Sequence, residues 1–392
     1  MNVLDHLSNS ELGQRLRIAR ESAKYRQEDA AEKLGMSRTT VVAIEKGDRR
    51  ARIEEVRAFA QLYGTSINSL LRDEAVHVDL APKFRKHFGK KDDAVEGAVK
   101  LLAELAQAEV ELESLLGVTR IRNYPPERPL MPGDVRAQAE HDATELRQWL
   151  GLGLSPVTDI VTLLELEMGV RVYIRRFDGR ISGLFAYDDK LGACILLNAN
   201  HPRERRTQTA AHELGHFIST RRQPEVLSGE RIENSREERY AAAFAAAFLT
   251  PARTVMQKFK EVTAGSEKLT RRHAIILAHA FGVSREAIVR RLEDLGLAKE
   301  GTWDWFVHYG SITDDHVRQV LGDLRAPDEQ KADADRPTSL RLALLADEVS
   351  CRGLMSEGQL ARMLHIDRVE LRAMLDGLRV EGSEADEAFL PG

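Results

Sequence analysis

Cysteine is nearly absent. Cys194 and Cys351 are the two in 392 residues, far apart and without a CxxC neighbour. That excludes a disulfide scaffold and a cysteine-built zinc site, and it fits a chain kept in a reducing cytoplasm. Long apolar runs are missing too: no stretch approaches the roughly eighteen consecutive apolar residues that a membrane span needs. The start, MNVLDHLSNSELGQ, lacks a basic stretch followed by an apolar core, so it does not read as an export signal. Nor does one sign of charge dominate. The formal balance of -5 rules out a uniformly basic coat but leaves room for a local basic face that meets phosphates. With 43% hydrophobic residues over this length, two or three domains are expected.

Helical periodicity begins at Glu11 and continues to about Arg72, broken at short turns. In QEDAAEKLGMSRTTVVAIEKGDRR, residues 27 to 50, one helix is expected from Gln27 to Leu34, stopping at Gly35. Ser37 then caps a second, with Val41 and Ile44 on its buried face and Gly47 ending it. This leaves Arg38, Thr39 and Thr40 at the exposed start of the second helix, where a recognition helix meets base edges in the major groove. Gln27, Arg49 and Arg50 are placed to hold phosphate. The segment resembles the phage-repressor type of helix-turn-helix domain through Gln27, Ala31, Gly35, Ser37, Glu45 and Gly47. Residues 1 to 75 carry 13 Lys and Arg against 12 Asp and Glu, so charge does not decide between DNA and a protein partner.

Residues 76 to 92 carry Pro82, Gly89 and mixed charge without periodicity, which reads as a boundary. Residues 94 to 118 place Leu and Val at helical intervals on an otherwise charged segment, a helix for packing on a neighbour or for a dimer contact. YPPERPLMPG, residues 124 to 133, cannot continue it.

A polar-faced helix is expected over 133 to 149 and another over Pro156 to Gly169, with Ile160, Leu163 and Leu164 buried. VRVYIRRF, ISGLFAY and GACILLN then read as three strands of a small antiparallel sheet. RERRTQTAAHELGHFIST, residues 203 to 220, is helical, so His212 and His216 project from one face one turn apart. Neutral imidazoles suit zinc, and Glu213, beside the first histidine, can act as the base on a metal-activated water. A third ligand must come from another helix. EERYAAAFAAAFLTP, residues 237 to 251, offers Glu238, with Glu237 in reserve; Glu230 and Glu233 are less favoured. Tyr240, His308 and Tyr309 are the side chains chemically able to act as oxyanion donors.

The region from Val135 to Leu297 resembles the ImmA/IrrE metallopeptidase family, through the strand ending at Asn198, the run RERRTQTAAHELGH and the EERYAAAFAAAFLTP helix. The resemblance implies gluzincin-like logic: zinc on His212, His216 and Glu238, with Glu213 as general base. It also implies bacterial and phage proteins that relieve repression by cutting a helix-turn-helix repressor, often under stress. The chain departs from the family at Ala242, where an Asn usually orients a zinc histidine, and at Gln208, where an aromatic usually stands. A missing bond of that kind lowers metal affinity or activity without destroying a site.

Residues 271 to 297 read as two helices around a GVS turn that brace the metal helices, and WDWFVHY, 303 to 309, as edge packing. APDEQKADADRP is a linker. Beyond it, residues 339 to 378 form helices capped by Ser356 and Asp367, with Leu360, Met363, Leu364, Leu371 and Leu375 as core. SEGQLARMLHIDRVELR resembles another tri-helical or helix-turn-helix fold, whose acidic company favours a protein contact or oligomerisation over DNA.

The expected organisation is multidomain. An all-α helix-turn-helix head occupies 1–75, a linker and connecting helix 76–132, and an α+β metallopeptidase core 133–300. An edge segment and linker occupy 301–337, and a small α-helical domain 338–392. The function expected is a bacterial or phage transcription regulator that joins sequence-specific binding of double-stranded DNA to zinc-dependent cleavage of a repressor or of itself, in a stress response. A homodimer is compatible with it; a membrane partner is not. Two other readings stay open: a non-proteolytic regulator whose metal domain senses a ligand, and an antitoxin-like regulator.

Overall fold

A capped helix opens the described part of the chain. In the computed structural model the described residues are 8–65, 70, 93–222, 225–228, 235–264, 268–322 and 339–378. The expected boundary at 76–92, the linker at 326–337, the closing GSEADEAFLPG and residues Pro224, Gly229, Glu230 and Glu233 lie outside them. The chain divides into two units, Met1–His77 and Val78–Gly392.

In the first unit, α1 (Asn9–Ser22) begins at Ser8, whose hydroxyl accepts the Glu11 N–H while the Glu11 carboxylate accepts the Ser8 N–H. It is followed by α2 (Gln27–Lys33), α3 (Arg38–Lys46) and α4 (Ile53–Tyr63). Ser37 caps α3 by accepting from the Thr40 N–H at 3.1 Å. Gly47 ends it at φ 79°, and a Cβ there would lie 2.6 Å from Ser10 Cα, so both the turn and the close packing require glycine. Leu12, Leu16, Val41, Ile44, Val56 and Phe59 form the core. Beside it Arg20 is paired with the buried Glu45 at 2.7 Å.

The second unit is built on a four-stranded sheet of β1 (Arg171–Arg175), β2 (Ile181–Asp188), β3 (Gly192–Asn198) and β4 (Glu225–Ser228), in the order β1-β3-β2-β4. The sheet is mixed rather than antiparallel throughout. β2 and β3 form an antiparallel hairpin and β4 joins β2 antiparallel, but β1 pairs with β3 in parallel. Apolar patterning identifies a strand but not its direction; direction follows from β1 taking the outer edge of β3 instead of pairing with its sequence neighbour β2.

Helices cover both faces of the sheet, which is why its strands are buried almost without alternation. Val172, Phe185, Ile195 and Leu197 join one core with Leu214 and Phe217 of α6 (Arg203–Ser219), to which α5 (Val135–Trp149) contributes Ala139 and Leu146. On the other face Arg171 and Tyr173 meet the long connecting helix, Asp93–Leu116, through its Glu113 and Glu109. The helix expected over 156–169 is shorter. It starts where Asp159 caps a single turn, Ile160–Thr162, and widens into a π-helical turn, Leu163–Glu167; Ile160, Leu163 and Leu164 are buried.

After the sheet come α7 (Arg236–Leu249), α8 (Ala252–Thr263), α9 (Arg271–Phe281), α10 (Arg285–Asp294), α11 (Thr302–His308) and α12 (Asp314–Leu321). Phe306 and Ile312 are buried in the same core as α6. The final helices are α13 (Leu340–Cys351), α14 (Glu357–Met363) and α15 (Arg368–Asp376). Ser356 and Asp367 cap the last two, and Leu360, Leu364, Leu371 and Leu375 are buried, whereas Met363 is half-buried.

A buried set of charges ties α13 to the connecting helix. Glu109 accepts from Tyr173 at 2.6 Å and pairs with Arg171 at 3.0 Å and with Arg120. Glu113 pairs with Arg171 at 2.7 Å and with Arg341 at 3.1 Å. Burial alone would push the Glu109 carboxyl up, but the Arg171 and Arg120 guanidiniums outweigh it and hold it below the usual carboxylate range.

Glu165 lies against this set, 3% exposed, and accepts the Arg341 backbone N–H at 3.2 Å. Its burial pushes the carboxyl up to about 7. Between the ordinary value of 4.5 and about 7, the folded protein keeps a proton that the unfolded chain has released. Stability therefore falls as pH rises through that window. Glu165→Gln is expected to remove this slope and to raise the urea midpoint at about pH 8 above that of the wild type. Equal midpoints there would show that the carboxyl is not the penalised group.

Candidate metal centre

The helical repeat of α6 sets His212 and His216 one turn apart, and their Nε2 atoms lie 3.1 Å from each other. α7 crosses α6 at Gly215, where an added Cβ would come within 2.9 Å of Ala241 Cα. The absence of a side chain on one helix and the alanines on the other let the backbones approach closely. That approach brings the first turn of α7 over the histidines. Glu238 Oε2 is 3.2 Å from His212 Nε2, and Glu238 Oε1 is 3.3 Å from His216 Nε2.

One ligand atom from each of His212, His216 and Glu238 lies within 4.8 Å of the others, the only such trio of metal-binding side chains among the described residues. Two nitrogens held at 2.0–2.1 Å from one tetrahedral zinc are about 3.3 Å apart, so the spacings around Glu238 and between the imidazoles fit that ion. Protonation fits as well. Burial holds the His216 imidazole below its usual range, which keeps it neutral and able to donate a lone pair. Burial acts to raise the Glu238 carboxyl, but hydrogen bonds from the two histidines outweigh it and hold it far below the usual carboxylate range. Glu237, the adjacent carboxylate, is not part of the trio.

Glu213, next to the first histidine, is fully buried. Its Oε1 lies 3.5 Å from where a Cβ on Gly183 would stand, and Thr209 Cγ2 only 2.5 Å from the same point. Gly183 is thus the place where β2 passes the carboxylate. It was not singled out by the patterning of ISGLFAY, although a glycine inside a strand is a known signal of close backbone approach.

The two departures noted in the sequence have structural counterparts. Ala242 is exposed on α7 and provides no polar side chain, and Gln208 is half-buried. The neighbour of the His216 Nδ1 atom is Thr220 Oγ1, at 3.5 Å, which also bonds the His216 carbonyl. Among the proposed oxyanion donors, Tyr240 donates its hydroxyl to Asp142 at 2.9 Å and is fully buried, bracing α7 against α5. Tyr309 is exposed and packs on Trp305; His308 meets the Tyr309 ring edge-on.

In the first unit, Arg38 and Thr39 are exposed and Thr40 is half-buried at the start of α3. Ser37 Oγ bonds both threonine hydroxyls at 2.8 Å, and Arg38 Nη1 lies 3.2 Å from Glu28. Gln27 Nε2 donates to Glu45 at 2.8 Å, so its amide is held on the protein side. Arg49 pairs with Glu55 at 2.8 Å and Arg50 is exposed. Arg17, Arg26 and Arg38 line one shallow polar groove along with Gln27 and Glu28.

Residues 11–72 match the family model of a helix-turn-helix domain, and residues 166–293 match that of the IrrE N-terminal-like domain of the M78 peptidases. No curated protein matches the chain. The chain joins an N-terminal helix-turn-helix domain to an IrrE-type, M78 peptidase-like domain. At the family level this is a DNA-binding domain fused to a zinc-metallopeptidase-like domain. Among the described residues, no helix is long and apolar enough to cross a membrane.

Proposed function

We propose that the chain is a bacterial or phage transcription regulator that couples sequence-specific DNA binding to zinc-dependent endopeptidase activity, with a helix-turn-helix repressor or a copy of itself as substrate in a stress response. The observation that carries this reading is the convergence of His212, His216 and Glu238 within 4.8 Å, with Glu213, the next residue after His212, fully buried. His212, His216 and Glu238 would hold the ion. Bound zinc supplies Lewis-acid polarisation and lowers the pKa of a coordinated water. The Glu213 carboxylate takes the proton as water attacks the peptide carbonyl, and passes it to the departing amine nitrogen. Low solvent access around Glu213 strengthens its interaction with charge that develops in the reaction. Covalent fusion to a DNA reader keeps the peptidase at high local concentration near any repressor bound beside its own site.

Metal analysis combined with cleavage assays on the full chain tests this, using candidate repressors and the cognate promoter DNA. Stoichiometric zinc without cleavage that depends on Glu213 would transfer the protein to a second reading, a non-proteolytic sensor. Ala242 favours that alternative, because it leaves the histidines without the amide that usually orients one of them.

For the DNA-reading side, Arg38, Thr39 and Thr40 face base edges and Arg49 and Arg50 meet the backbone, while Gln27, whose side-chain amide is held by Glu45, offers phosphate only the backbone N–H at the start of α2. Arg38→Ala is expected to weaken binding to a selected duplex by about ten-fold, the scale of one good arginine–guanine contact. An unchanged sequence preference in a binding-selection experiment would remove Arg38 from the reading face.

A further inference from the structure

The turn that joins α2 to α3 occurs again near the end of the chain. α2 and α14 are both seven residues long and α3 and α15 both nine. In each pair four residues separate the helices. The first of these is a leucine, Leu34 or Leu364. The second is left-handed, Gly35 at φ 64° and His365 at φ 53°. The third is apolar, Met36 or Ile366, and the fourth is a side-chain cap, Ser37 or Asp367, accepting the N–H three residues on. The second helix then opens on an arginine, Arg38 or Arg368, which lies over the second residue of the first helix. Arg38 reaches Glu28 at 3.2 Å, and Arg368 Nη2 stands 2.7 Å from where a Cβ on Gly358 would be.

A non-glycine residue in the left-handed region is disfavoured, so His365 holds that conformation because its surroundings require it. Its ring reaches Glu104 of the connecting helix at 3.3 Å, and Arg175 donates to the Leu364 carbonyl at 3.2 Å. These contacts lie on the side facing the peptidase-like core. The opposite side of α15 is open: Arg368, Val369, Glu370, Arg372 and Ala373 are all exposed, Val369 at 76%.

The turn between α9 and α10 has the same form, with Gly282 at φ 64°, Val283, the cap Ser284 and then Arg285. Its second helix is less open, however: Arg285, Ala287 and Arg290 are half-buried and Val289 is buried, at the positions that Arg368, Glu370, Ala373 and Arg372 hold on α15.

We propose that α14 and α15 form a second DNA-reading helix-turn-helix, which presents Arg368, Val369 and Arg372 to the major groove of duplex DNA. The proposal rests on the DNA-binding reading of the first unit. Arginine suits guanine O6 and N7, valine the thymine methyl, and Glu370 can accept from cytosine N4. The acidic balance of residues 339–378, five Lys and Arg against six Asp and Glu, does not all fall on this face. Asp347 and Glu348 belong to α13, Asp367 is used as a cap and Glu357 pairs with Arg372 at 2.8 Å. Exposed pairs of this kind are weak and exchange readily. The near-neutral charge gives little attraction to phosphate by itself, so the second reader acts in the full chain, where the first unit supplies local concentration.

Footprinting of the full chain tests the proposal, on 40-base-pair duplexes that it selects from a random pool. The wild type is expected to protect two separate segments. Arg368→Ala combined with Arg372→Ala should lose one of them and bind about ten-fold more weakly, with an unchanged thermal midpoint because both side chains are exposed. Arg38→Ala should lose the other segment and so reports on the first unit alone. One protected segment in the wild type, with the double variant binding as tightly, would overturn the second reader. A double variant whose only change is loss of self-association in sedimentation would also overturn it and assign the face to a second copy of the chain.

Discussion

Exchanging Glu213 for glutamine is expected to slow peptide-bond cleavage by about two to four orders of magnitude while zinc stays bound, the range set by loss of a positioned base. Glutamine has the same shape, so a fully buried site beside Gly183 and Thr209 keeps its packing. What is lost is the ability to accept a proton. His212→Ala and His216→Ala should instead lose cleavage and metal together, since each removes an imidazole whose Nε2 lies about 3 Å from Glu238. Single-turnover cleavage and zinc content, measured on the same preparations, separate the two classes. Undiminished cleavage by all three variants would sink the proposed site.

The largest effect on stability is expected from Arg171→Met. Its guanidinium is buried between Glu109 and Glu113 and donates to the Leu191 carbonyl. Removing one member of a buried charge set leaves the others desolvated without compensation, at a cost of about 3–5 kcal/mol. Urea unfolding measures this, and adding Glu113→Gln should recover part of the loss because the two sites share partners. A change below about 1 kcal/mol would show that water reaches the cluster and screens it.

The histidine pair could be read from sequence because a spacing of four residues on a helix fixes their side. Among the carboxylates the sequence favours Glu238 with Glu237 in reserve, and the structure brings Glu238 to the histidines. The distance between Glu238 and the imidazoles depends on where α7 crosses α6, and that is set by Gly215 against Ala241, residues with no chemical signature. Caps and turns of the helical segments were legible for a similar reason: Ser37, Gly47 and Ser284 act within a few residues of themselves. Strand direction was not legible, since parallel and antiparallel neighbours bury the same side chains. β4 is too short to show in the sequence, because four residues carry little pattern. The carboxylates of the connecting helix were the least legible. Glu109 and Glu113 look like a solvated stripe in sequence, yet they are buried, because their partners come from residues 120, 171 and 341.

That last pairing bears on how the protein can be cut for study. A fragment ending at residue 322 would keep every proposed zinc ligand and still take from Glu113 the arginine that α13 supplies, leaving it with Arg171 and Arg120. The boundary suggested by the charged, proline-bounded run at 326–337 is therefore not a seam in the electrostatics. A shortened protein that bound zinc poorly or precipitated would be reporting the loss of α13 and the residues it covers, not a defect at the histidines.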